Sequence, residues 1–401
     1  MLVLQLNRPQ DIKQIMQDIR VDPYGIRIMQ PKAITHLVRM NSVSSIAANI
    51  LKQEMLSLGG DVAVARGALT GRIRKTDCLL MGNLSQFNRL NEKLHKQPFG
   101  LSRVACDLSR ALTNYQRDTF AISLGRYKLH LGRRPYIMGI VNATPDSFSG
   151  DGLYQPTVAR RPLPAIIDFV EEMIRDGADI VDVGGESSRP GAKAVPVKEE
   201  LARTIPIIKA LARKIKKPIS IDTCKPEVAK QALDNGAVMV NDITALRNPR
   251  LAKVAAQHKA AVVIMHMQGR PRNMQNNPQY TSLISEIREY LDNAMIRAQE
   301  FGIELEKIIV DPGIGFGKLL EHNLEILKRL PEFKVLGRPI MVGTSRKSFI
   351  GRILKLQPQE RVFGTVSACV LAVQNGAKIV RVHDVGAVKQ ALTVLDAINH
   401  A

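Results

Sequence analysis

The sequence predicts an α/β protein: a (β/α)8 barrel of the TIM type preceded by a small N-terminal α/β domain. Three observations carry that expectation. Eight short apolar runs recur between Ile137 and His383, stretches of helical spacing fall between them, and nearly every run ends in a polar or glycine cluster. Parallel strands separated by helices close into a barrel, which keeps its chemistry at the C-terminal strand ends. An open doubly wound sheet normally carries a G-x-G-x-x-G turn after its first strand. Here that strand opens instead into Asn142-Ala143-Thr144-Pro145-Asp146.

Residues 1–130 stand outside this rhythm and form the expected first domain, a basic α/β module; residues 131–401 form the barrel. Met1–Leu6 reads as a first strand, without the charged head and cleavage site of a signal peptide. Ser42–Leu58 reads as a helix, capped by Ser42 or Ser44, with Ile46, Ile50, Leu51 and Met55 on one face and Gly59-Gly60 ending it. Strands are expected at Asp61–Ala65 and Asp77–Met81. A second helix covers Leu84–His95, and Arg103–Phe120 is a helical bridge. No catalytic motif occurs here, so the module is expected to serve docking or oligomerisation.

In the barrel the predicted strands are Ile137–Asn142, Ile180–Val183, Pro218–Asp222, Val238–Asn241, Ala261–His266, Ile308–Asp311, Pro339–Gly343 and Lys378–His383. Helical spacing marks Leu163–Arg175, Glu199–Lys214, Pro226–Asn235, Ser282–Phe301 and Ala387–Ile398.

Composition narrows the function classes. The chain has 401 residues, 45% of them hydrophobic, which is ordinary for a soluble globular protein. No apolar run approaches the roughly 20 residues that span a bilayer. The four cysteines form no C-x-x-C pair and read as free thiols of a reducing cytoplasm. The net charge of +20 is uneven, with 21 Lys+Arg against 9 Asp+Glu in residues 1–135. That excess suits anionic small molecules. With 4% aromatics and no zinc-finger or RNP-like pattern, composition argues against nucleic acid.

The strand ends supply the candidate residues. Asn142 ends the first strand; Asp146, Phe148 and Ser149 follow in a loop with oxygen donors and an apolar tip, suited to closing over a ligand. Ser187-Ser188-Arg189-Pro190-Gly191 follows strand two, and hydroxyls beside an arginine suit an anion. Asp182, Asp222 and Asp311 end strands; such carboxylates accept from an amidine-like heterocycle edge, while Asn241 both donates and accepts, as a lactam edge requires. Singly, each is also an ordinary cap or turn residue. Asp311-Pro312-Gly313-Ile314-Gly315-Phe316-Gly317-Lys318 lacks phosphate-loop spacing, because Leu319 follows Lys318. It reads as a backbone platform for a flat ring, with Phe316 beside it. Lys347 follows strand seven. Arg381 and His383 alternate on strand eight and can face one way, where barrels often bind phosphate. His266 is at most pocket lining.

These motifs together resemble the dihydropteroate synthases. Asn-Ala-Thr-Pro-Asp-Ser-Phe-Ser within Ile137–Gly152 is similar to the first signature of that family, and Gly-Glu-Ser-Ser-Arg-Pro-Gly ending at Gly191 to the second. Ser220–Thr223, Val240–Ile243, Met265–Met267, Asp311–Gly317, Ser345–Ser348 and Arg381–His383 follow in order, so the resemblance covers roughly residues 134–400. It implies condensation of p-aminobenzoate with a hydroxymethyl-dihydropterin diphosphate, releasing pyrophosphate in folate synthesis. It also implies site roles. Asp222, Asn241, Asp311 and Lys347 hold the pterin between Met265 and Phe316, Asn142 contributes to a Mg2+ site, and Arg381 and His383 grip the diphosphate. Asp146, Phe148, Ser188 and Arg189 lie in loops that order around leaving group and second substrate, and Asp146 helps stabilise the developing cation. Ser348 lies near the p-aminobenzoate. A homodimer is expected from the same resemblance. The alternatives are a pterin-dependent methyltransferase, or a non-catalytic pterin- or RNA-binding protein driven by the basic N-terminal third.

Overall fold

A computed structural model describes residues 1–4, 6, 8–143, 162–187, 192 and 194–400. The chain divides into two compact units, Met1–Thr113 and Asn114–Ala401.

The first unit begins with helices α1 (Pro9–Asp18) and α2 (Pro23–Met29). Met1–Leu4 is exposed and outside any strand, so the expected first strand is corrected: that stretch has no partner strand to bury it. The first strand is β1 (Thr35–Ser44), followed by α3 (Ser45–Ser57), β2 (Asp61–Val64), α4 (Arg66–Leu69), β3 (Lys75–Asn83), α5 (Leu84–Leu94) and α6 (Leu101–Gln116). β3 lies between β1 and β2, antiparallel to both. Helix α3 starts three residues later than expected, because β1 continues to Ser44. The Ser44 hydroxyl then caps it, accepting from the Ala47 N–H at 3.2 Å. Asn83 and Gln86 form a reciprocal capping box on α5. Leu51, Met55, Leu80, Phe87 and Leu90 make the core between sheet and helices.

The second unit opens with a hairpin the sequence reading missed, β4 (Phe120–Leu124) and β5 (Tyr127–Leu131). Phe120, expected to end a helix, begins this strand. Alternation at Phe120, Ile122 and Leu124 points three apolar side chains one way. They and Leu129 and Leu131 pack on Met138, Ile180, Met239, Val263, Ile309, Met341 and Ile379, the inward-facing residues of seven barrel strands. The hairpin therefore stoppers the N-terminal end of the barrel. This is why the break between units falls at residue 113/114 rather than near 130.

Eight parallel strands close the barrel: β6 (Tyr136–Asn142), β7 (Ile180–Gly184), β8 (Ile219–Asp222), β9 (Met239–Asp242), β10 (Ala261–Met265), β11 (Ile308–Asp311), β12 (Ile340–Val342) and β13 (Ala377–Val382). All eight expected strands are present, in the expected order. Nine helices lie among the described residues of this unit: α7 (Leu163–Arg175), α8 (Val197–Lys214), α9 (Pro226–Asp234), α10 (Pro249–Gln257), α11 (Leu283–Glu300), α12 (Leu320–Lys328), α13 (Ser348–Leu354), α14 (Val362–Gln374) and α15 (Val385–His400). The outer faces of the strands and the inner faces of these helices form the largest core, from Ile137 and Val141 to Leu392 and Leu395. Two residues above the apolar floor, the same inward faces turn polar: Ile180 precedes Asp182, Met239 precedes Asn241, Ile309 precedes Asp311, and Ile379 precedes Arg381. Period-two alternation thus carries each strand from core to basin.

Candidate active site

The basin at the C-terminal strand ends is organised around Arg381. Its Nε donates to Asp182 Oδ2 at 2.6 Å and a terminal nitrogen donates to Asp222 Oδ2 at 2.7 Å. Asn241 Nδ2 donates to the same Asp182 oxygen at 3.1 Å. Asp182 is fully buried, and its other oxygen, Oδ1, has no partner among the described residues. One guanidinium thus serves two carboxylates. Burial pushes Asp222 up to about 7; Arg381 pulls it down, while Asp182, Glu200 and Asp242 push it further up.

Asn142 and His383 meet on the neighbouring strands β6 and β13. The Asn142 amide Nδ2 donates to His383 Nε2 at 3.2 Å, and His383 Nδ1 lies 2.9 Å from the Ser345 hydroxyl. The ring orientation of His383 is therefore set from both sides. Gly184 stands opposite, where a Cβ would lie 3.8 Å from the Asn142 amide oxygen.

The third group surrounds the platform after β11. The Asp311 carboxylate accepts from the Gly313 N–H at 2.7 Å. Gly313 and Gly317 have φ of 72° and 61°, and a Cβ would fall 1.9 Å and 2.5 Å from the carbonyl oxygens of His266 and Gln268. Only glycine fits where the platform lies against the end of β10. Lys347 Nζ donates to the Ile314 carbonyl and stands 4.7 Å from the centre of the Phe316 ring. Burial pushes Lys347 down to about 8, with Asp311 opposing and Arg381 adding to the shift. Burial likewise raises Asp311, against the pull of Lys347. Met265, Met267 and Met274, with Ile243 and Phe316 against them, form an apolar wall.

Asn142, Asp222, Asn241, Met265, Asp311, Phe316, Lys347, Arg381 and His383 therefore all stand at one end of one barrel. Ser348 begins α13 beside Lys347 and is exposed. Asp146, Phe148, Ser188 and Arg189 lie outside the described residues. The second loop is anchored where it is described. Glu186 accepts from the Val195 N–H at 2.9 Å and from Lys225 at 2.6 Å. Lys225 also donates to the buried Glu200.

Sequence reasoning named Asp182 among the strand-end carboxylates without its tie to Arg381, and it overlooked Met267, Ile243 and Ser345. Alternation was the available signal for Met267 and Ile243: Met267 follows Met265 by two, and Ile243 follows Asn241 by two. Nothing local marked Ser345, whose partner lies 38 residues away. His266 proves buried, ringed by Tyr280 and Tyr290 at 6.0 and 4.8 Å, and burial pushes it down to about 2. It lies beneath the basin wall.

The profile of the pterin binding enzyme family matches residues 138–383. Over 279 residues the chain is 50% identical to a dihydropteroate synthase of Synechocystis, covering 69% of this chain and 94% of that protein. A probable bifunctional folylpolyglutamate synthase/dihydropteroate synthase of Halobacterium salinarum is 39% identical over 388 residues, 96% of this chain and 46% of that protein. Among solved structures, a Yersinia pestis dihydropteroate synthase in complex with a sulfonamide drug superposes with a TM-score of 0.67. It is 39% identical and covers 70% of this chain and all of that one.

Proposed function

The chain belongs to the pterin-binding enzyme family and, within it, to the dihydropteroate synthases, and on that premise we propose how its basin works. The reaction condenses p-aminobenzoate with 6-hydroxymethyl-7,8-dihydropterin diphosphate in folate biosynthesis. The C–O bond at the pterin methylene breaks and its electron pair leaves with pyrophosphate. The arylamine lone pair forms the new C–N bond, and the nitrogen then loses a proton, giving 7,8-dihydropteroate.

Asp222 and Asp311 accept from the N–H donors of the pterin, Asn241 matches its lactam edge, and Lys347 donates to it. Met265 and Phe316 lie along the ring faces. Arg381 and His383 take the diphosphate, so the Arg381 cation stands where negative charge develops. Asp146 stabilises the methylene cation. Phe148, Ser188 and Arg189 belong to loops around leaving group and amine, and Ser348 sits near the p-aminobenzoate. The aniline nitrogen is already nucleophilic, so positioning and water exclusion replace a strong base. The observation that carries this reading is the convergence of Asp222, Asn241, Asp311, Lys347 and Arg381 beside one apolar wall. Incubation with pterin diphosphate, Mg2+ and p-aminobenzoate tests it. Pyrophosphate and a pteroate product are expected together, and pyrophosphate formed equally well without the amine would reject the synthase assignment.

Among the described residues no cluster of three His, Cys, Asp or Glu is placed to hold a metal. Mg2+ needs none, since it keeps several waters and takes one or two protein oxygens plus substrate phosphates. Asn142 fits: it is half-buried at the end of β6, and with its Nδ2 donating to His383 its Oδ1 is left as the oxygen an ion would take. A Mg2+ ion held there would neutralise leaving-group charge. Asn142→Ala is expected to raise the Mg2+ concentration for half-maximal rate by about tenfold or more. An unchanged Mg2+ titration would remove Asn142 from the metal site.

We also propose a homodimer through α12, α13 and α14. These adjacent helices expose Leu324, Ile353, Leu354, Leu371 and, at 84%, Phe363. Exposed large apolar side chains gathered on neighbouring helices suit an interface. Phe363→Glu is expected to convert the dimer to monomer in light scattering at micromolar concentration. A cytoplasmic location is consistent with four free cysteines, and no described helix is long and apolar enough to cross a membrane. The N-terminal unit is assigned to docking rather than chemistry, consistent with exposed Leu37 beside the Arg39–Asp77 pair on its sheet.

A further inference from the structure

Four consecutive backbone carbonyls of the platform are each held by a different side chain. Lys347 donates to Ile314 O, Gln275 to Gly315 O at 2.7 Å, Lys318 to Phe316 O at 2.9 Å, and Tyr280 to Gly317 O at 2.7 Å. The platform N–H of Gly315 is taken by Asn323 Oδ1 at 2.6 Å. Of these groups only Lys347 has a place in the proposed chemistry.

Lys318 is the least expected of them. Its residue is only 2% exposed, and its Nζ makes a second contact, 2.9 Å from His266 Nδ1. A lysine filling space alone would be replaced there at lower cost by methionine, because burying an amine is costly. Burial holds the amine well below the ordinary lysine range, and Lys347 adds to the shift. Its two contacts join the platform, to which Phe316 belongs, to the end of β10, where His266 directly follows Met265, and so brace the apolar wall along the pterin slot.

We propose that Lys318, supported by Gln275 and Tyr280, is a positioning residue that fixes Phe316 and Met265 relative to each other and so sets the pterin slot. This rests on the pterin site assigned above. Met265 and Phe316 belong to the wall beside the ring, and misplacement by about 1 Å can cost on the order of a hundredfold. The effect is expected at the pterin, since the proposed arrangement sets the p-aminobenzoate near Ser348 instead.

The test is Lys318→Met, which keeps the volume and removes both contacts. Pterin diphosphate Kd by calorimetry, both KM values and the melting temperature are measured on the full chain. We expect pterin Kd and KM to rise by about 10- to 100-fold, with the p-aminobenzoate KM within about twofold of wild type. An unchanged pterin Kd overturns the inference. So does a parallel rise in both KM values, which marks a purely structural role. If Lys318→Met does not fold, Tyr280→Phe and Gln275→Leu carry the same test, with an expected pterin-specific rise of about three- to tenfold for each lost hydrogen bond. No pterin binding by the wild-type chain would sink the underlying site assignment instead.

Discussion

Arg381→Ala should lower kcat/KM for pterin diphosphate by about 10³-fold, because it removes a preorganised cation aimed at the departing diphosphate. The same change strips Asp182 and Asp222 of their shared partner. Breaking a buried pair costs roughly 3–5 kcal/mol at full burial. Here the loss is smaller, since the Arg381 side chain is 19% exposed at the basin. Asp222, already pushed up by burial, also loses the cation that pulls it down, so its folded-state value rises further and it takes up a proton. The stability of that protonated group is present at low pH and lost as pH rises through the raised folded value, so the melting-temperature deficit should widen between pH 5 and 8. Adding Asp182→Asn to Arg381→Ala should restore melting temperature without restoring turnover. Near-normal turnover in Arg381→Ala would remove the diphosphate role.

Asp222→Asn should be at least as severe for pterin binding. An amide presents donors where the pterin presents donors, and unmatched buried polar groups are rejected by on the order of 10⁴-fold when a site is built to pair them. The wild type should also show a pH signature. Asp222 is pushed up to about 7 by burial, and in the proposed complex the pterin edge favours the carboxylate. Binding therefore releases a proton at low pH, and pterin KM should fall as pH rises from 6 toward 8 and then level. The Asp222→Asn variant should lack that step. An identical pH profile in both proteins would assign the titration elsewhere.

The barrel was legible because its strands are short, wholly apolar and bounded by polar ends. Ile308–Asp311 and Leu163–Arg175 were placed to the residue. The hairpin β4–β5 was not, because its turn at Gly125-Arg126 carries no strong hairpin dipeptide and its alternation merged into the preceding helix. β1 was missed for a related reason: Val38 and Met40 alternate with exposed Leu37 and Arg39, so its apolar side is thin. In the site, residues that end strands were found from local pattern. Pairings between distant partners were not: Asp182 reaches Arg381 across 199 positions and Lys318 reaches His266 across 52. Such pairings exist only once the barrel has closed.

Among the described residues the stoppered floor closes one end of this vessel and leaves the strand-end mouth as the doorway. Whatever must lie deepest has to enter before anything seated nearer the rim. In the proposed arrangement the bicycle lies at the bottom, against Asp222 and Asp311, and the aryl amine above it, so arrivals would be queued by architecture alone. Departures face the same constraint, since pyrophosphate and the finished pteroate share that exit.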